Sequence, residues 1–490
     1  MSQLLTLSRA ARLIGLTRGA LQKRIKNGEL QTFDGMVSIE SLQAAYPDTR
    51  FMEDLVLERI NQIKEEAFAK RVRERVLPDK EVLAARLYEQ SRELADVRNH
   101  LQRYHSILVQ AQHRLQEMSD SGSGRIHPSI GALDDWLNQQ LQEVLSTEAP
   151  DTLTVMDDYL RVVSASVVLQ PSRHEFFVDG ADTILEAALR AGLALNYGCS
   201  SGNCGLCKAR IVSGQTKKVR HHDYVLSEAE KNSGYTLLCS HAPVTDLVIE
   251  ALEALNPSDI PLQEIQTRVK TVEPLSGEVV RLHLQTPRTN RLRFLAGQSV
   301  TLGIGETGAA DYPIASCPCD DRNIEFHIRN IPGDNFTRRV FNDLKNGDAV
   351  MLQGPFGDFV LRDDSTRPQL FIACDTGFAP VKSLIEHAMS LENTVGIHLC
   401  WLATSPSGHY RSNLCRSWAD ALDNFRYTEL EAEALNESDI LRALQKLEQQ
   451  YPDLKEFDIY LAGPAIFVTQ SRKWLSQHGF PDAQLASLAV

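Results

Sequence analysis

The spacing of apolar residues changes character several times along the chain, and each change marks a unit. Over residues 1–50, Ala10, Ala11, Leu13 and Ile14 follow Ser8, a suitable N-cap. Gly15-Leu16 makes a turn, Thr17 caps a second helix with Leu21 and Ile25 inward, and Gly28 stops it. The next stretch reads as a short wing hairpin turning at Asp34-Gly35, then a third helix capped by Ser38. Two short helices joined by a tight turn fit a helix-turn-helix. Residues 51–77 read as helical until Pro78 breaks them. Beyond Pro78, positions Leu83, Leu87, Gln90, Leu94, Val97, Leu101, Tyr104, Leu108, Ala111, Leu115 and Met118 alternate steps of four and three. That is a heptad seam on about 50 Å of helix. A helix lying on its own globular body shows a wider stripe, so 51–120 predicts a self-associating coiled coil; an intramolecular hairpin with 51–77 is the alternative. Residues 121–163 hold the linker SDSGSGRIHPS and an amphipathic helix over 129–146.

From 164 to 255 the period shortens to small strands, one helix and a cysteine-bearing loop. Residues 260–364 predict a β-barrel, with strands at Arg281–Gln285 and Glu325–Arg329. Residues 365–490 alternate strand and helix (LFIAC, GIHLCWL and DIYLAG separated by helices), which predicts a parallel α/β sheet. The fold class is therefore multidomain, α+β followed by α/β.

Composition narrows the function. The chain has 490 residues, 43% hydrophobic and 23% charged, ordinary for several globular domains. A net charge of −13 excludes a chain that coats nucleic acid along its length, though not one basic module. No apolar run reaches the roughly 20 residues of a membrane span, so no membrane insertion is expected. Arg9 and Arg12 interrupt the N-terminal apolar residues, unlike a signal peptide. Nine scattered cysteines do not make a disulfide framework, and a cytoplasmic location is the expectation.

Four of those cysteines carry chemistry. Cys199, Cys204 and Cys207 fall in C-x₄-C-x₂-C, and Cys239 follows after a further 31 residues. This is the plant-type [2Fe–2S] ligand spacing, in which each iron takes two protein thiolates beside the bridging sulfides. Gly198, Gly202 and Gly205 let the backbone wrap closely and turn N–H groups toward sulfur. A structural Cys₄ zinc site usually pairs two C-x₂-C knuckles, and only one is present. Asp182–Ala188 and Lys208–Ile211 with Gly214 resemble the plant-type ferredoxin sequence on either side of its loop. Cys317, Cys319, Cys400 and Cys415 read as packing residues.

A barrel followed by a parallel sheet resembles the ferredoxin–NADP⁺ reductase superfamily. With the ferredoxin in front, 164–490 is similar to oxygenase reductase components. That resemblance implies FAD on the barrel and a nicotinamide dinucleotide on the sheet. It carries Tyr312, as the catalytic aromatic against the isoalloxazine, and Pro313, Ile314, Ser316, Ile328, Gly333 and Thr337 as flavin-binding positions. It carries Thr376, Gly377, Ala379, Pro380, Gly463 and Pro464 as nicotinamide-side positions. This chain departs from the family in four places. Ala310 replaces the arginine of Arg-x-Tyr-Ser; Asp375 stands in Gly-Gly-Thr-Gly, where a carboxylate repels a pyrophosphate. Thr404 stands where a phosphate-reading arginine often occurs, which favours NADH over NADPH, and the usual aromatic tail is Leu485–Val490.

The N-terminal pattern resembles the winged helix-turn-helix of MerR-type and excisionase-type DNA binders, with Arg18, Lys23, Arg24 and Lys26 available for phosphates. Three functions follow as expectations. The first is a reductase passing electrons from NAD(P)H through FAD and a [2Fe–2S] cluster to an oxygenase, desaturase or similar acceptor. The second is a redox-sensing DNA-binding regulator working through residues 1–50, and the third a reductase scaffolded on a partner by its N-terminal part. A homodimer or higher even oligomer through residues 83–118 is expected in each.

Overall fold

Leu5, Ala10, Ala11, Ile14, Leu21, Leu30, Val37 and Leu42 share one small core. It gathers β1 (Leu4–Thr6), α1 (Arg18–Lys26), β2 (Met36–Ser38) and α2 (Ile39–Ala45). The computed structural model describes residues 161–490 apart from 306–307, 363–364, 366, 392–394 and 406, the helix at 80–120, parts of 4–46, and positions 78, 133, 136 and 139. The Ser38 cap is present: its Oγ accepts from the Ser41 N–H at 3.1 Å. The turn of the hairpin expected around Asp34-Gly35 lies outside the described residues. β2 pairs antiparallel with β1, Leu5 opposite Val37, which buries both side chains in the module's core. Ser8, Thr17, Gly28, Asp34, Gly35 and the helices expected over 51–77 and most of 129–146 lie outside the described residues, as do the side chains of Arg18 and Lys26. Lys23 is exposed, and the Arg24 guanidinium lies 5.0 Å from the Tyr46 ring centroid.

α3 (Lys80–Asp120) is a 41-residue helix, about 60 Å long at the α-helical rise. Its start is docked. Val82 is buried, and the buried Arg86 donates from Nε and Nη2 to the Pro243 carbonyl (3.2 and 3.0 Å) and from Nη1 to the Val162 carbonyl (3.1 Å). Burial brings that guanidinium down to about 10, and the two carbonyls offset its desolvation. Past Arg86 the heptad seam is open: Leu87, Leu94, Val97, Leu101 and Tyr104 are between 48% and 64% exposed.

The next unit runs β3 (Ser164–Gln170), β4 (Glu175–Asp179), α4 (Ile184–Arg190), β5 (Lys208–Ser213), β6 (Thr216–Lys218), α5 (Glu228–Asn232), β7 (Tyr235–Leu237), β8 (His241–Pro243) and β9 (Leu247–Glu250). Its main sheet has the order β4-β3-β9-β5-β7, with β3 and β9 parallel and the other pairs antiparallel. Thr183 and Glu186 form a capping box that starts α4, which then buries Ile184, Leu185, Ala187 and Ala188 against the sheet. One helix grasped by such a mixed sheet is the β-grasp arrangement.

The barrel expected over 260–364 is an open one. β10 (Gln263–Pro274), β11 (Val279–Gln285), β12 (Ser299–Gly303), β13 (Ala309–Pro313), β14 (Asn323–Arg329) and, after α6 (Asn335–Asn342), β15 (Ala349–Phe356) form a six-stranded antiparallel sheet, β13-β12-β15-β10-β11-β14. Its edges meet just beyond β13, where the Ala315 N–H donates to the Glu325 carbonyl at 2.8 Å.

The last unit is a five-stranded parallel sheet, β18-β17-β16-β19-β20, built from β16 (Gln369–Cys374), β17 (Ile397–Ala403), β18 (Phe425–Glu431), β19 (Asp458–Gly463) and β20 (Leu485–Ala489). α7 (Phe378–Leu391) and α8 (Ser412–Ala421) cover one face; α9 (Glu437–Gln450) and α10 (Ala465–Gln477) cover the other. β16 is buried along its whole length, as a central parallel strand must be. Among the described residues no helix is long and apolar enough to cross a membrane.

Candidate functional site

The loop leaving α4 wraps tightly because its glycines allow it. Gly202 has φ +79° and Gly205 φ +75°; a Cβ would fall 2.4 Å from His222 Cβ at the first and 2.3 Å from the Tyr224 ring at the second. The wrap brings the four cysteines together as two pairs. Cys207 and Cys239 Sγ lie 3.2 Å apart, and Cys199 contacts Cys204 through its thiol. Among the described residues no three or more potential ligands gather round one point. Two pairs suit two irons, each needing two thiolates. Cys199, Cys207 and Cys239 are at most 3% exposed.

Backbone N–H groups converge on these sulfurs. Burial disfavours the Cys199 thiolate, but the N–H groups of Ser201, Cys204 and Asn203 together with the Cys204 thiol outweigh it and bring Cys199 down to about 7. Contact with Cys207 brings Cys239 down to about 6, helped by Ser240 and the Gly202 N–H. Cys207, the donor in that contact, is pushed up by it. Donors aimed at sulfur are what a thiolate-held cluster requires.

This loop rests on the open barrel. The Arg291 N–H donates to the Gly198 carbonyl (2.8 Å) and its Nη2 to Ser200 Oγ (3.0 Å). Arg293 Nη1 donates to Asn196 Oδ1 at 2.8 Å, and the Ser200 N–H to the Arg288 carbonyl at 3.3 Å. Both arginines are under 10% exposed. The spacing of the cysteines gave no sign of them.

On the barrel, Tyr312 is half-buried on β13 and stacks on Phe336 at 5.4 Å and 27°. Burial, then the Asp334 charge, raises its phenol to about 12. Gly333 (φ +85°) opens an exposed turn with open space where a Cβ would be, and α6 follows it. That helix start is capped by Asp334, whose Oδ2 accepts from the Thr337 N–H at 2.8 Å. Thr337 is buried and its hydroxyl donates to the Ile331 carbonyl at 3.3 Å, so it holds the turn from inside instead of facing a phosphate. Ile314 and Ile328 lie in the barrel core, leaving only backbone for a ligand. Ser316 Oγ accepts from the Glu325 N–H, and its carbonyl from Ser383 Oγ at 2.7 Å, joining barrel to sheet. Pro313 is half-buried beside Tyr312. Arg339, a cation the motif comparison did not reveal, reaches 3.7 Å from the Cβ position of Gly305. An aromatic platform, an open glycine turn and this cation are a set of groups a flavin fits. Tail residues Leu485–Ala489 form β20, and the Val490 N–H donates to the Gly463 carbonyl at 3.0 Å.

On the sheet, Gly377 and Gly463 serve close packing. A Cβ on Gly377 would lie 2.1 Å from the Ala462 carbonyl oxygen, and one on Gly463 2.8 Å from Cys374 Cβ. Ala379 and Pro380 are buried within α7, and Pro464 caps α10. Thr376 lines a narrow cleft together with Asp375, Arg329, Ser405, Ser407 and Tyr410. Two departures noted in the sequence turn out to be partners. Asp375 is 3% exposed; its Oδ1 accepts from the Thr404 N–H (2.9 Å), and its Oδ2 from Thr404 Oγ1 (2.6 Å) and Arg329 Nη1 (3.1 Å). Trp401 Nε1 donates to the Asp375 carbonyl at 3.1 Å, and the Trp401 ring stacks on Phe378 at 4.0 Å. Cys400 and Cys415 are fully buried, as their apolar setting implied. Cys317 is buried too and accepts from the Cys319 N–H at 3.3 Å, whereas Cys319 itself is exposed.

Comparison with known proteins matches three family models in this order. Residues 167–244 match a 2Fe-2S iron-sulfur cluster binding domain, 266–361 an oxidoreductase FAD-binding domain and 371–473 an oxidoreductase NAD-binding domain. The chain is 30% identical over 330 residues to the CDP-6-deoxy-L-threo-D-glycero-4-hexulose-3-dehydrase reductase of Yersinia pestis, a match covering 66% of this chain and 98% of that one. It is 31% identical over 268 residues to the phenol 2-monooxygenase reductase component DmpP of Pseudomonas sp. (strain CF600), covering 54% and 75%. It is 26% identical over 327 residues to the propane 2-monooxygenase reductase component of Rhodococcus jostii (strain RHA1), covering 64% and 88%.

Proposed function

We propose, because the chain belongs to the family of reductases that join a [2Fe–2S] domain to FAD- and NAD-binding domains, that its electrons leave through the Cys199–Cys207 loop for an oxygenase or similar protein acceptor. When bound, the flavin accepts a hydride from NAD(P)H and releases its two electrons singly, and the cluster carries one at a time. The protein's part is position and environment. Cys199, Cys204, Cys207 and Cys239 hold the irons, and the N–H groups of Ser201, Gly202, Asn203, Cys204 and Leu206 set the charge the sulfurs bear. Tyr312, backed by Phe336, gives the isoalloxazine a flat neighbour. Leu206, 50% exposed between Cys204 and Cys207, offers the acceptor an apolar contact.

The observation that carries this reading is the bolting of the cluster loop to the barrel by Arg291 and Arg293, which makes both electron carriers parts of one body. Anaerobic titration with NADH or NADPH, followed by visible spectrum and EPR, tests it. The expected result is bleaching of flavin and then cluster absorbance, with a reduced-cluster EPR signal. No bleaching by either dinucleotide with both cofactors loaded overturns it.

A second reading concerns the first third of the chain. The open seam of α3 supports self-association through residues 83–118, and the separate core of 4–46 with exposed Lys23 supports a DNA-facing module on a two-fold rod. Light scattering of the full chain should return an even multiple of 54.7 kDa, and Leu94→Glu with Leu101→Glu should reduce it to one. A gel shift weakening steeply with salt would support DNA contact; no shift even at low salt ends that part.

A further inference from the structure

In the parallel sheet the chain goes from β16 to β17 on one side and later returns to β19 on the other. Open α/β sheets take nucleotides at such a reversal, outside the carboxyl ends of the strands. The turn Asp375–Gly377 leading into α7 sits at that point, where helix-start N–H groups draw anions. In this chain an anionic side chain already sits there. Asp375 is buried, and its carboxylate takes the two Thr404 donors and one hand of Arg329. The other hand of Arg329 goes to Glu278 at 2.9 Å. Asp375 adopts φ +49°, a backbone region that favours glycine, so these bonds hold a conformation the residue would otherwise rarely keep. The cleft that remains has a cavity volume of about 10 Å³, far below the roughly 300 Å³ of small ligand pockets.

We propose that the Asp375 carboxylate is a resident stand-in for the dinucleotide's pyrophosphate, and that it sets how tightly this reductase binds nicotinamide dinucleotide. Bound dinucleotide takes over Arg329 and the Thr404 N–H only after Asp375 gives them up. The competition acts at the pyrophosphate, common to NADH and NADPH, so it weakens both by the same factor. The proposal rests on the reading that the dinucleotide docks on this sheet.

The test uses the full-length holoprotein and ADP-ribose, which carries the pyrophosphate but no nicotinamide and so undergoes no hydride chemistry. Calorimetry on wild type, Asp375→Gly and Asp375→Asn should show ADP-ribose tightening on the order of tenfold in the glycine variant, with the asparagine variant between. NADH and NADPH should tighten in the same ratio in stopped-flow flavin reduction. Equal or weaker ADP-ribose binding by a folded glycine variant overturns the proposal. Should that variant fail to fold, the asparagine variant decides by the same criterion. Tightened ADP-ribose with no flavin reduction in any variant keeps the proposal and removes the hydride-accepting reading; normal flavin reduction with unchanged ADP-ribose binding does the reverse.

Discussion

The loop from Gly198 to Cys207 and the turn from Cys374 to Phe378 both stand where a negatively charged guest is proposed to dock, but only the first has its surrounding donors aimed at ligand atoms. Around the cysteines, N–H groups from six residues of the loop point at sulfur. At the end of β16 the nearby donors, the Thr404 N–H and hydroxyl and the Arg329 guanidinium, are taken by the chain's own Asp375. The contrast teaches that a departure from a motif has to be read with its partner. Asp375 alone looks like a lost glycine and Thr404 alone like a lost arginine, yet together they form one satisfied network.

The comparison breaks most completely at the cluster. Cys207→Ser should abolish electron delivery to a one-electron acceptor, together with cluster iron and acid-labile sulfide, while NADH still reduces the flavin. Retention of iron and sulfide would mean that Cys207 is not a required ligand of the cluster. The next largest effect lies in the other loop. Arg329→Gln strips Asp375 of its cationic donor, and removing one partner of a buried pair costs about 3–5 kcal/mol. Arg329 is 33% exposed, so a loss of about 2–3 kcal/mol is expected, measured as a lower denaturant midpoint; an unchanged midpoint would show the network to be idle. Gly205→Ala should cost about 1–3 kcal/mol, because it adds a Cβ at positive φ against the Tyr224 ring, and should speed cluster loss to a chelator. The smallest effect is expected at Tyr312. Tyr312→Ala should weaken FAD retention by about 1 kcal/mol, the scale of one aromatic contact, whereas Tyr312→Phe should leave it unchanged.

Much of this was legible in the residues. The cysteine spacing picked out the four thiols that the loop gathers, because ligand chemistry constrains it, and the switch from short strands to alternating strand and helix located the barrel and the parallel sheet. The Asp375–Thr404 bond was not legible, because the two lie 29 positions apart and meet only through sheet register. Cys374 lies beside Leu402 in the parallel pair, so strand order was the missing step. Arg86, Arg291 and Arg293 were missed for a related reason. Each arginine is satisfied by carbonyls or side chains of a distant segment, and nothing in its own neighbourhood marks it as buried.

Arg291 and Arg293 fasten Gly198, Ser200 and Asn196 to the barrel through buried bonds, which hold the proposed cluster loop at one place on the flavin-side unit. On that footing no swinging of one module toward another is needed to set the pace, and thickening the solvent with glycerol is expected to leave the internal transfer rate unchanged.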